Sequence, residues 1–213
     1  MIGKIKKRID GDFSGFVFQK LRNYRLLFLS LYSTKVSYMS LRLKGVKIAS
    51  NCKFFGLPIV MRSMHSSISI AEGCRFRSDK SSNLIGLNRK CIVSTLKKGA
   101  KITIGKNSGF SGTVIGAANS ITIGENVLSG ANVLITDHDW HPIHPDKRHT
   151  SDGIENAPVV IENNVWLGVN SVILKGVTIG ENTVIGANSL VVSDIPSNVI
   201  AGGSPCKVIK SLV

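Results

Sequence analysis

From Ile161 onward, aliphatic residues recur at every sixth position: Ile161, Leu167, Ile173, Ile179, Ile185 and Val191. Glycine often follows, as at Gly168, Gly180 and Gly186, and asparagine falls in phase at Asn164, Asn170, Asn182 and Asn188. The same phase is readable in "IGENVL" (123–128) and "SGANVL" (129–134), and in the more degraded "IASNCK" (48–53) and "IAEGCR" (70–75). An amphipathic helix repeats near 3.6 residues and a half-buried strand repeats at 2, so neither produces this pattern. A period of six fits very short strands joined by sharp turns, each repeat returning one aliphatic side chain to a central stack. Gly and Asn suit such turns because positive φ costs them little. The pattern therefore predicts an all-β parallel solenoid, with three hexapeptides to a triangular coil and each coil covering its neighbours.

In this frame Cys52 and Cys74 take the fifth repeat position, held elsewhere by Val127, Val133, Val165, Ser171, Val177, Thr183 and Ser189. They are expected as small side chains in the coil wall, not as metal or redox groups. The other cysteines, Cys91 and Cys206, are equally scattered and form no C-x-x-C pair. That usage suits reduced thiols in a cytoplasmic protein.

The period breaks once in the second half. Ile135 and Ile161 are 26 positions apart, one six-residue step plus about 20 residues that must leave the coil, which places a protruding loop at 137–158. Its first part reads "DHDWHPIHPDKRH" and contains His138, His141, His144 and His149, four of the five histidines in the chain. A loop of this length, with a tryptophan and His-Pro turns, is expected to be functional. Between about Cys74 and Ile104 the period also loses phase.

Charge divides the chain. Residues 1–100 hold 20 Lys+Arg against 4 Asp+Glu (+16), and residues 101–213 hold 7 against 9 (−2), for a net +14. A basic N-terminal half implies an anionic partner, although without interleaved aromatics or a known module nucleic acid is not expected. The run Leu26–Tyr32 is far too short to span a bilayer, and Asp10, Asp12, Arg22 and Arg25 spoil a signal peptide. A basic amphipathic helix is expected over about 13–32, within an N-terminal segment 1–45 that precedes a solenoid domain 46–213. Two readings stay open: a helix packed on the body or another subunit, or one resting on the inner face of the membrane.

Residues 159–210, "VVIENNVWLGVNSVILKGVTIGENTVIGANSLVVSDIPSNVIAGGSPCKVIK", resemble the C-terminal half of the hexapeptide-repeat acetyltransferases, in the galactoside, maltose and xenobiotic acetyltransferase branch. The likeness is strong from about Ile102, weaker over 46–101 and absent before that. It implies a left-handed β-helix, a homotrimer with active sites between subunits, and acetyl-CoA as co-substrate with no metal. It also implies a loop histidine as general base. His141, with Pro142-Ile143 after it and Arg148 beyond, matches the family's His-Pro pattern, and His138 is the rival, with Asp137 or Asp139 as an orienting acid. A neutral imidazole near pH 7 can take a proton from a sugar hydroxyl. "VWLG" (165–168) resembles the motif whose tryptophan lines the pantetheine channel, which assigns Trp166 and Gly168 to cofactor binding. Gly186 and Ala187 match the small residues beside that arm, and Lys207 and Lys210 in "GGSPCKVIK" match basic residues that meet the nucleotide.

The function implied is O-acetylation of a sugar hydroxyl, with the basic N-terminus pointing to cell-surface polysaccharide biosynthesis. The alternatives are an N-acetyltransferase acting on an amino sugar, a zinc-dependent γ-carbonic-anhydrase-like hydratase on the same fold, and a non-catalytic scaffold.

Overall fold

The protein is described by a computed structural model covering residues 12–212. Among the described residues a single α-helix, Phe13–Leu43, leads into twenty short strands between Lys47 and Ser211. The strands visit three sheets in strict rotation and pair in parallel with the coil before and after, so the body is a three-sided prism wound in the left-handed sense. The C-terminus departs from this: after Leu190–Val191 only an isolated bridge from Ile195 to Ile179 marks the first sheet, Val199–Gly202 returns to the second, and Lys207–Ser211 folds back antiparallel on it to close that end.

The six-residue period maps onto this geometry one repeat per side. Ile135, Ile173 and Val191 lie in register on the third sheet, and Leu167, Ile185 and Ala201 on the second. All are fully buried. In the first coils the aliphatic stack gives way to aromatics. Phe54, Phe76 and Phe110 stack with centroids 5.1 Å apart at each step and are buried. The coil-to-coil spacing of a β-ladder is about 4.8 Å, which brings aligned rings into face contact. Cys52 and Cys74 sit in the wall as expected, 2% and 0% exposed, and the cysteines are free.

The turn asparagines have φ between 56° and 62° at positions 132, 164, 170, 182 and 188. Their side chains add a second ladder along one corner: Asn107, Asn126, Asn164, Asn182 and Asn198 pass Nδ2–H to Oδ1 at 3.4, 3.2, 3.0 and 2.8 Å. The phase lost after Cys74 has a physical cause. Between Arg77 and Ile92 the chain leaves the coil, makes a 3-10 turn at Lys80–Ser82 and returns.

The helix differs from its expected form. It extends past Tyr32 to Leu43, begins on the Asp12 carboxylate, which accepts from Gly15 N at 2.8 Å, and has apolar residues around most of its circumference. What seats it is a row of hydroxyls. Gly56 N donates to Ser33 Oγ (3.1 Å), Phe54 N to Thr34 Oγ1 (3.0 Å) and Cys52 N to the Tyr38 hydroxyl (3.0 Å). The first coil has no preceding coil to accept those N–H groups, so the helix satisfies an otherwise open sheet edge. This is why Ser33 is buried where an apolar stripe is expected, whereas the buried Ser37 hydroxyl makes no hydrogen bond among the described residues. Residues 1–11, the start of the expected N-terminal segment, lie outside the described residues.

Candidate active site

The third-sheet strand ends at Thr136 and the next strand starts at Val159, so residues 137–158 leave the prism at one corner. The stem of this excursion is tied shut. His138 bridges to Asn156, Asp139 N donates to Glu155 O at 2.9 Å, and Ala157 N donates to Asp137 O at 2.9 Å. Lys175, one coil later, pairs its ammonium with Asp139 and with Glu155 Oε2 at 3.1 Å, joining both sides of the stem to the body. The hydrogen bond it donates to Asp139 holds the Lys175 pKa above its ordinary value, so the clamp stays charged.

At the base of the stem lies Asp137, whose side chain is fully buried. Its Oδ1 accepts from Ala118 N at 2.7 Å and its Oδ2 from Asn119 N at 2.8 Å, which fixes the carboxylate against the previous coil. His138 Nδ1 stands 3.2 Å from that Oδ1 and 3.2 Å from Thr136 Oγ1. An imidazole whose Nδ1 faces a carboxylate carries its proton on Nδ1, leaving Nε2 as the basic atom. Trp140 folds over the ring, with centroids 4.7 Å apart at 52°. Gly116 lies beneath the indole, where a Cβ would make ordinary contact, 3.6 Å from Trp140 Cζ2. Asp137 is thus the acid beside the imidazole, whereas Asp139 serves Lys175.

The remaining loop histidines have other settings. His141 is exposed, with Nδ1 3.3 Å from the Arg148 carbonyl. His144 is 3.5 Å from Asp146 on the surface, and His149 is exposed. Among the described residues no three His, Cys, Asp or Glu side chains are grouped to hold a metal ion.

The residues expected to hold a cofactor come together on another side of the prism. Trp166 pairs in register with Val184, Val184 with Ile200, and Ile200 with Lys210. Lys207 pairs with Gly202 in the same sheet. Neighbouring strands are about 4.8 Å apart, so Trp166 and Lys210 end a row about 14 Å long. Trp166 is 54% exposed, and Ala187, Lys207 and Lys210 are exposed. The two glycines differ. A Cβ on Gly168 would lie 2.5 Å from Ala187 N, so coil-to-coil approach alone requires glycine there. A Cβ on Gly186 would make only ordinary contacts, the nearest with Ala201 O at 3.5 Å, so the chain's own packing does not require glycine there. An open strip beside a half-exposed indole, ending in two ammonium groups, suits a long flexible thiol cofactor with a phosphorylated end. No hydrogen bond or ring contact links this row to His138 within the chain.

Sequence reading identified Asp137 only as one of two orienting acids, and missed Trp140 and Lys175. The missing signal lay in the coil spacing: Ala118 and Asn119 are about one coil before Asp137, and that distance brings their N–H groups to its carboxylate.

A model of the bacterial transferase hexapeptide (six repeats) matches residues 158–193. Galactoside O-acetyltransferase from Escherichia coli (strain K12) is 44% identical over 116 residues, 54% of this chain and 56% of that one. A putative lipopolysaccharide biosynthesis O-acetyl transferase, WbbJ, of the same organism is 39% identical over 103 residues, 45% of this chain and 53% of that one. The chain thus spans about half the length of these relatives. Among solved structures, a maltose O-acetyltransferase from Clostridium difficile 630 superposes with a TM-score of 0.50 at 27% identity, covering 88% of each chain.

Proposed function

We propose that the chain is a hexapeptide-repeat acetyltransferase of the galactoside and maltose branch, to which its relatives belong, and that it is an acetyl-CoA-dependent O-acetyltransferase acting on a sugar hydroxyl. The observation that carries the proposal is the His138 imidazole, held through Nδ1 beside a buried, doubly anchored carboxylate at the mouth of an inserted loop. His138 is the general base in this reading, and His141 stays its rival as the second candidate in the loop.

Acetyl-CoA supplies a thioester whose carbonyl carbon is the electrophile and whose thiolate is the leaving group. His138 Nε2 takes the proton from the acceptor hydroxyl, so that the oxygen attacks the thioester carbonyl carbon as its proton passes to the ring. Asp137 stabilises the imidazolium while it lasts and keeps the ring in one tautomer. The same Nε2 then returns the proton to the departing sulfur, which restores the base. Tilted over His138, Trp140 shields the ring from bulk water and strengthens its contact with Asp137. On the second sheet, Trp166, Gly168, Gly186 and Ala187 hold the pantetheine arm, and Lys207 and Lys210 meet the phosphates as point charges.

Because His138 and this row occupy different sides of one prism, the complete site is formed between copies. A homotrimer places the row of one subunit beside the loop of the next. The acceptor is proposed to be part of a cell-surface polysaccharide or its precursor, which the similarity to WbbJ supports, assembled in the cytoplasm at the inner face of the membrane. The test is release of free CoA thiol from acetyl-CoA across a panel of mono- and oligosaccharides. Acceptor-dependent release supports the reading, and thiol release that no sugar accelerates, together with stoichiometric bound zinc, overturns it in favour of a hydratase.

A further inference from the structure

We propose that the N-terminal helix and the two clefts beside it form a docking surface for a bilayer of anionic phospholipid. This deepens the membrane part of the proposed function and is independent of the acetyl transfer.

One face of the helix is committed inward by the hydroxyl row from Ser33 to Tyr38. The remaining face is apolar and uncovered. Phe13, Leu21, Tyr24, Phe28 and Leu31 are 66, 57, 57, 69 and 61% exposed. Apart from the first gap, which Val17 fills, they follow at three- and four-residue steps, which puts them on one stripe. A stripe of this size on an isolated surface marks an interaction site.

Clefts open on both flanks of the stripe, and cations line each. One, of about 1040 Å³, lies between Leu26, Leu27 and Leu31 of the helix and the second sheet, with Lys35, Lys53 and Arg75 in its wall. The other, of about 460 Å³, lies among Phe18, Leu21 and Leu84, with Arg22 and Arg25. No Asp or Glu lines either one among the described residues. The nearby Asp79 is engaged by Ser81, whose N–H it accepts at 2.9 Å. Burial, with Arg75 and Arg22 close by, depresses the Arg77 guanidinium, a sign of cations crowded without counter-charge.

An apolar stripe between cationic clefts selects among occupants. A second copy of the helix would offer the same cations, Lys20, Arg22, Arg25 and Lys35, and its one described carboxylate, Asp12, is engaged as the cap. An uncharged bilayer would take the side chains of the stripe and leave the guanidiniums unpaired. An anionic bilayer satisfies both, with Phe and Leu in the acyl boundary, Tyr24 at the headgroups and phosphates in the clefts. No described helix is long and apolar enough to cross a membrane, so the contact is interfacial.

The test is co-flotation of the full chain with vesicles of phosphatidylcholine alone or of phosphatidylcholine and phosphatidylglycerol in equal parts. Binding is expected on the anionic vesicles only, and added salt should release it. An Arg22→Gln, Arg25→Gln variant should bind roughly thirtyfold more weakly, from two lost surface cations. A Phe28→Ser, Leu31→Ser variant should also lose binding, while both variants keep the native circular dichroism, oligomeric mass and acetyl transfer to a soluble sugar. Equal binding to both vesicle types, or none to either, would overturn the proposal without needing a variant. So would a change of oligomeric mass in the Phe28, Leu31 variant, which would show that a second copy covers the stripe. Loss of acetyl transfer with vesicle binding intact would count against the enzymatic reading alone.

Discussion

Replacing Asp137 by Asn separates the carboxylate's work on His138 from its work on the fold. The side chain keeps its shape, but one oxygen becomes an NH₂ group. If the amide oxygen stays at Oδ1, it still accepts from Ala118 N and faces His138 Nδ1, and the NH₂ meets Asn119 N–H, donor against donor. If it flips, the NH₂ opposes Ala118 N–H and donates to Nδ1, which forces the imidazole proton onto Nε2, the wrong tautomer for a base. Either way one backbone donor loses its acceptor, Ala118 N–H in a buried setting or Asn119 N–H in a partly buried one, a loss of up to about 1–3 kcal/mol in stability. The tautomer reversal removes the base outright, and comparable changes in other acid–His pairs cost up to about 10⁴ in kcat. The measurement is kcat for acetyl transfer at saturating acetyl-CoA, beside chemical denaturation of the same preparation. A fall in kcat of more than about 100-fold with KM for acetyl-CoA unchanged is the expected outcome. A variant that loses stability but keeps kcat within threefold of the parent (about 0.65 kcal/mol) would show that Asp137 only braces the corner, and would remove the argument for His138.

Three further outcomes follow from particular contacts. Gly186→Ala should leave thermal stability nearly unchanged, because its Cβ makes only ordinary contacts, the nearest at 3.5 Å, yet raise KM for acetyl-CoA by narrowing the strip; Gly168→Ala, 2.5 Å from Ala187 N, should instead destabilise the fold by about 1–3 kcal/mol in urea denaturation. Phe76→Ala opens the middle of a three-ring stack and should cost about 3–5 kcal/mol, and a loss under 1 kcal/mol would mean that the coils collapse around the gap. Lys175→Met frees the stem of the loop, a change worth about 1 kcal/mol or less in stability for partly exposed ion pairs, but a shift of His138 of about 1 Å would cost as much as 100-fold in kcat; an unchanged kcat would show that the backbone bonds of the stem suffice.

The parts of this molecule that repeat were legible, and those that do not repeat were legible only as interruptions. Six-residue spacing from Ile161 to Val191 gives the sides of the prism directly, because each coil sees the same surroundings. The same period locates the loop at 137–158 by its absence. Within the loop, pattern reasoning had only composition and resemblance, and the His-Pro pair drew attention to His141. What sets His138 apart is a contact between coils, from Asp137 to the N–H groups of Ala118 and Asn119, and spacing along the chain does not announce a hydrogen bond to backbone. The helix was expected, but its seating escaped in a similar way. Ser33, Thr34 and Tyr38 look polar and unremarkable in sequence, and their purpose is visible only once the first coil presents three N–H groups with nowhere else to bond. The Trp166 row was assembled by residue types from resemblance, and the register from Trp166 to Lys210 supplied the geometry.

The central claim is that His138 is the base of an acetyl transfer, and it is tested most directly by comparing His138→Ala with His141→Ala for acceptor-dependent release of CoA thiol. The account predicts that the His141 variant keeps kcat within a few-fold of the parent and that the His138 variant loses about 10²–10⁴, with both still folded. Full activity in the His138 variant, or loss confined to the His141 variant, would contradict it.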